Sequence, residues 1–139
     1  MVLKVYCDTN VYLDFFLERD NILPHSIFAE KIFNAAYRKK IVLVYSDWLE
    51  YQIKNVVGDR WNQVKGMLED LRKRNALEQI NVSPEVKREA NQYPTEHEDA
   101  VHALLAIKAG AKMLITRNVR HFAIFKDRIK ILFPNDFEV

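Results

Sequence analysis

The chain has 139 residues, 49% of them hydrophobic, with 21 basic against 19 acidic side chains and a formal net charge of +2. That length suits one domain spanning residues 1–139, and the apolar content excludes a disordered chain. The charge balance excludes recognition driven by bulk positive charge, so any nucleic-acid contact has to come from local clustering. Cys7 is the only cysteine, which rules out an intrachain disulfide and a cysteine-based zinc site. No segment reaches the roughly 18 uninterrupted apolar residues of a membrane span. The first residues, Met1 to Val5, run straight into a strand-like stretch without a signal-peptide pattern. A cytoplasmic protein with no membrane contact is the expectation.

Val2 to Cys7 reads as a short buried strand, broken by the polar Asp8-Thr9-Asn10. Val11 to Leu17 reads as helix. Pro24 suits the first turn of a second helix, with Ile27, Phe28, Ile32, Ala35 and Ala36 as its apolar face. Arg38, Lys39 and Lys40 close that helix, where cations suit the dipole. Ile41 to Tyr45 is an unbroken apolar run, as expected for a parallel strand covered on both faces. Ser46 then caps a helix whose buried stripe is Trp48, Leu49, Ile53, Val56 and Val57. Asp47, Glu50 and Lys54 share its other face.

Gly58-Asp59 interrupts, and Val64, Met67, Leu68 and Leu71 mark a further amphipathic helix. Leu77 to Val82 is a weaker strand, and Ser83-Pro84-Glu85 opens a short helix. Thr95 to Glu98 matches a capping box for a helix running to Ala109 that is apolar on nearly every side, hence central. Gly110 stops it. Lys112 to Ile115 and Ile129 to Phe133 are the last strands. Strands alternating with helices predict a three-layer α/β/α domain around a central, mostly parallel sheet.

In such a sheet ligands bind at the carboxyl ends of the strands. Right-handed crossovers place Asp8, Ser46 and Thr116 on that one edge. Asp8 ends the first strand, Glu50 lies about a turn into the helix after the second, and Asp99 lies in the first turn of the buried helix. Asn118 follows the strand ending at Ile115. Three carboxylates gathered together repel unless a cation or proton offsets them. Oxygen ligands of this kind suit Mg²⁺ or Mn²⁺.

These residues carry a family likeness. Asp8-Thr9-Asn10-Val11 with Asp14, Ser46 to Glu50, Glu98-Asp99-Ala100, and Ile115-Thr116-Arg117-Asn118 through His121-Phe122 resemble the PIN domain, close to the VapC-like toxin ribonucleases. Together they span almost the whole chain in the family's order. The resemblance implies an endoribonuclease dependent on Mg²⁺ or Mn²⁺. It makes Asp8, Glu50 and Asp99 the acidic metal ligands, with Asn118 in the fourth position as a neutral ligand or water-orienting group. Thr9 and Thr116 match hydroxyl positions that support the ligands, and Asn10 ties down the loop after Asp8. Hydrolysis by a metal-activated water would leave a 5′-phosphate and a 3′-hydroxyl. The likeness further implies a homodimer and a cognate antitoxin. Exposed apolar residues between Pro24 and Lys39, and between Ser46 and Arg74, are candidates for those contacts.

Plainer roles compete at each position. Asp8 is also a good helix cap, Glu50 an ordinary solvated glutamate, and Asp99 a partner for the helix dipole. Asp14 pairs with Arg19 more naturally than it reaches a pocket. None of His97, His102 and His121 is assigned to catalysis, because no zinc spacing supports them. Arg117, Arg120 and Lys126, joined by Lys39, Lys40 and Lys54, offer a positive rim for RNA phosphates, with Arg117 and Arg120 foremost. Tyr12, Trp48, Tyr51 and Trp61 are candidates to stack bases. The chief rival function is a PIN-like module that binds RNA or protein without turnover. A phosphatase with an Asp-x-Asp nucleophile is disfavoured by Asp8-Thr9-Asn10, and a nucleotide-binding domain by the lack of a glycine-rich loop.

Overall fold

Two short apolar runs of the chain lie at the heart of a parallel sheet. In the computed structural model, which describes residues 2–20 and 22–138, they form β1 (Leu3–Cys7) and β2 (Ile41–Ser46). Strands β3 (Leu77–Ile80), β4 (Met113–Ile115) and β5 (Lys130–Leu132) complete a five-stranded sheet in the order β3-β2-β1-β4-β5. All four pairings are parallel, with Val5 opposite Leu43 on one side and Met113 on the other. The weaker run at Leu77 becomes the half-buried edge strand its composition suggests.

The helices are α1 (Thr9–Phe16), α2 (His25–Tyr37), α3 (Asp47–Val57), α4 (Trp61–Lys73), α5 (Pro84–Ala90), α6 (His97–Lys108) and the single turn α7 (Val119–Phe122). They flank the sheet as expected of an α/β fold. Among them α1 packs on α2 and α3, and α5 on α6. Residues Ala100 to Ala106 of α6 are all buried, as its all-round apolar sequence requires. Tyr6, Tyr45, Phe33, Phe122 and Phe125 fill the core, and burial raises the thiol pKa of Cys7. Among the described residues no helix is long and apolar enough to cross a membrane.

Three local expectations need correction. Ile27 and Val56 are exposed, so the apolar faces of α2 and α3 are narrower than their sequences suggest. The capping box at Thr95 does not form. Glu96 is the N-cap of α6, and the Thr95 hydroxyl instead donates to the His121 carbonyl at 2.9 Å. Ser46 does cap α3, accepting from the Leu49 amide at 3.0 Å.

The sheet order places the functional edge. The chain leaves β1 toward β2 and β3, then crosses to β4 on the other side of β1. Connections after β1 and β4 therefore diverge, and a crevice opens between their carboxyl ends. Asp8 and Thr116 stand at those two ends, joined across them by the Asp8 amide donating to the Ile115 carbonyl at 2.9 Å.

Candidate metal centre

Asp8 occupies the crevice and is only 5% exposed. It is both helix cap and site residue: one oxygen accepts from the Thr9 amide at 2.8 Å. The other accepts from the Thr116 hydroxyl at 2.8 Å and the Asn10 side-chain amide at 3.1 Å. Asn10 also receives the Arg117 amide at 3.3 Å, so it stitches the loop after β1 to the loop after β4. Among the described residues no lysine or arginine pairs with Asp8; the nearest nitrogen of a basic side chain belongs to His102, 3.9 Å away.

Burial raises the pKa of Asp8 above the usual carboxylate range, against the pull of its hydrogen bonds. Asp99, in the first turn of α6, is also raised, first by burial and then by the charge of Asp8. Asp99 therefore senses the charge of Asp8. Both line an open cavity of about 470 Å³, together with Thr9, Asn10, Gln52, Glu96, Glu98, His102, Asn118 and His121.

Glu50, the third acid expected at the site, lies outside the cavity. It accepts instead from the Tyr45 hydroxyl at 3.3 Å. Residues two apart on a helix point to nearly opposite sides. With Gln52 facing the cavity, Glu50 faces away from it. Asn118 does reach the lining, exposed, with its backbone N–H donating to the Thr116 hydroxyl at 2.9 Å.

Gln52, unnoticed in the sequence because a neutral amide gives no charge signal, anchors a buried chain of hydrogen bonds. Its oxygen accepts from the Thr9 hydroxyl at 2.5 Å and lies 2.8 Å from His102 Nε2. His102 Nδ1 is 2.6 Å from the Tyr6 hydroxyl, which is 2.8 Å from Ser46 Oγ. One proton arrangement satisfies every link: Nε2–H donates to Gln52, and Nδ1 accepts from Tyr6, which accepts from Ser46. Burial pushes the His102 pKa down to about 3, so the neutral ring that this arrangement needs is the stable one.

The positive rim is thinner than the sequence suggests. Arg117 is drawn into an ion pair with Asp14, which is 1% exposed, with contacts at 2.8 and 2.9 Å; Arg19 adds a third at 3.3 Å. The Asp14–Arg19 pairing is thus found, while the Arg117 charge is largely consumed. Arg120 stays exposed in a shallow cleft beside Asn118 and His121. Lys39 and Lys40 directly precede β2, at the opposite edge of the sheet, and Lys126 lines a cleft with Gly110 and Lys112. Lys54 lies over the Trp61 ring at 4.7 Å. Of the candidate stacking aromatics, Tyr12 is buried in the core, Trp48 donates to the Glu98 carbonyl, and Tyr51, 69% exposed, lines the groove.

Fold and groove together define an open α/β domain with an acidic crevice at the carboxyl edge of a parallel sheet. The sequence profile of the PIN domain matches residues 4–120, and the chain belongs to the PIN domain family. Members of that family are typically nucleases and generally bind divalent metals. Among solved structures, the chain is similar to one in the crystal structure of VapBC2 from Rickettsia felis bound to a DNA fragment from their promoter. The TM-score is 0.62 at 16% identity, covering 94% of this chain and 98% of the other. No curated protein sequence matches it significantly.

The donor set fits a divalent cation. Asp8 and Asp99 supply carboxylate oxygens in a crevice where burial raises the cost of ionising both and the charge of Asp8 adds to that of Asp99, and a bound cation would offset that cost.

Proposed function

We propose that the chain is a single nuclease domain, a metal-dependent endoribonuclease that hydrolyses RNA phosphodiester bonds with Mg²⁺ or Mn²⁺. The observation that carries this reading is that Asp8, buried and without a lysine or arginine partner among the described residues, shares one cavity with Asp99. A divalent ion held by these carboxylates would polarise the phosphodiester and lower the pKa of water. The protein's own residues then do the positioning. Thr116, Thr9 and Asn10 fix both oxygens of Asp8. The Ser46–Tyr6–His102–Gln52 chain holds the wall beside it without adding charge. Asn118 and Arg120 at the mouth are placed to meet the RNA backbone.

Likeness of fold to VapBC2 supports a toxin role with a cognate antitoxin, and a homodimer using exposed side chains such as Ile27 on α2 and Tyr51 and Val56 on α3.

The rival, an RNA- or protein-binding module without turnover, draws on one observation: the acid expected on α3 is replaced in the cavity by Gln52. Incubation of labelled RNA with Mn²⁺ separates the two. Wild type should cleave and Asp8→Asn should be slower by about a hundredfold or more. Equal signals from both proteins, insensitive to chelation, would leave only the binding module.

A further inference from the structure

Glu96, Asp99 and His121 each present one ligand atom, and these atoms all lie within 4.8 Å of one another. The local structure explains the grouping. Glu96 is the N-cap of α6, yet its side chain makes no capping bond, which leaves the carboxylate to the groove. The Thr95 hydroxyl grips the His121 carbonyl at 2.9 Å and clamps the α7 turn against the start of α6. His121 Nδ1 then lies 3.1 Å from Asp99 Oδ2.

An exposed histidine beside a carboxylate is commonly an ion pair and nothing more. A second observation separates this one from that case. The same cavity contains Asp8, almost wholly buried, with neutral hydrogen-bond donors and, among the described residues, no lysine or arginine to offset its charge. The carboxylates here outnumber the cations that would balance them, and the imidazole sits at their open side.

We infer that His121 is a metal ligand, which makes the centre a mixed nitrogen–oxygen site. This rests on the reading that Asp8 and Asp99 hold a divalent ion, and it changes the class of ion expected. Imidazole suits borderline transition ions, whereas Mg²⁺ favours carboxylate, carbonyl and water oxygens. The site therefore selects ions such as Mn²⁺, Co²⁺ or Zn²⁺ over Mg²⁺, and the nitrogen comes from His121, beyond the oxygen of Asn118.

Calorimetric titration of the metal-free, full-length protein with Co²⁺ and with Mg²⁺ tests this, alongside the visible spectrum of the Co²⁺ complex. Co²⁺ should bind at least about tenfold more tightly than Mg²⁺. His121→Asn should weaken Co²⁺ about tenfold and shift its visible bands, while changing Mg²⁺ affinity by less than about twofold. His121→Gln repeats the test if the first variant melts early in the metal-free state. Unchanged Co²⁺ affinity and spectrum in a folded variant would overturn the inference and leave His121 as a plain ion-pair partner. RNA cleavage by the same preparations is read separately. Co²⁺ held through His121 without cleavage keeps the ligand and removes the nuclease; cleavage with Co²⁺ affinity indifferent to His121 does the reverse.

Discussion

At the residue level, burial sets the protonation of the site. His102 sits at about 3 in the fold against an ordinary 6.5. The unfolded chain therefore takes a proton first as pH falls, and His102 withdraws stability between pH 6.5 and about 3, at roughly 1.4 kcal/mol per pH unit. Asp8 acts in the opposite sense: its raised carboxyl is protonated first in the folded state, so it adds stability as pH falls through that raised value. Denaturant melts of wild type and His102→Gln across this range cancel the Asp8 contribution. The variant should be less stable at neutral pH because the Tyr6 and Gln52 bonds are disturbed, yet lose less on acidification. Parallel curves would show that His102 is not held neutral. Asp8 and Asp99 were legible in the sequence because carboxylates at strand and helix ends are conspicuous. Gln52 and His121 were not: one is neutral, and the other precedes a core phenylalanine in a stretch that reads as packing.

Elements are joined at the site by polar ties that run far along the chain. The Asp14–Arg117 pair links α1 to the turn after β4, and removing Arg117 leaves the buried Asp14 with only the longer 3.3 Å contact to Arg19. Arg117→Ala should therefore cost about 1–3 kcal/mol in urea unfolding. Arg120→Ala should leave stability within about 0.5 kcal/mol but weaken RNA binding and reduce its salt slope by about one. An Arg117→Ala protein of normal stability and poor RNA affinity would return Arg117 to the phosphate-binding role expected of it from sequence. Helix α6 shows how local and distant signals compete. Its buried length follows from an apolar surface on every side, but the Thr95 hydroxyl abandons the cap for the His121 carbonyl on another element. Glu50 lies outside the cavity for a related reason: helical phase, set by how α3 packs, turns it away when Gln52 turns inward.

For the whole molecule, ion binding and stability are coupled, because only the folded chain brings Asp8 and Asp99 together. Mn²⁺ at about a hundred times its dissociation constant should stabilise wild type by about 2.7 kcal/mol, seen as a rise in melting temperature, and Asp8→Ala should lose that rise. An equal rise in both would place the ion elsewhere. Strand and helix identities, the parallel sheet and the edge at which ligands gather are all consequences of local patterning: apolar runs bounded by polar breaks, helical spacing, caps and stops. Partnership between side chains has another origin. Whether position 50 or 52 looks into the crevice, whether Arg117 meets an RNA phosphate or Asp14, and whether His121 touches Asp99 depend on the rotation and docking of neighbouring elements. Those are fixed by packing between segments scores of residues apart, and no window of sequence contains them.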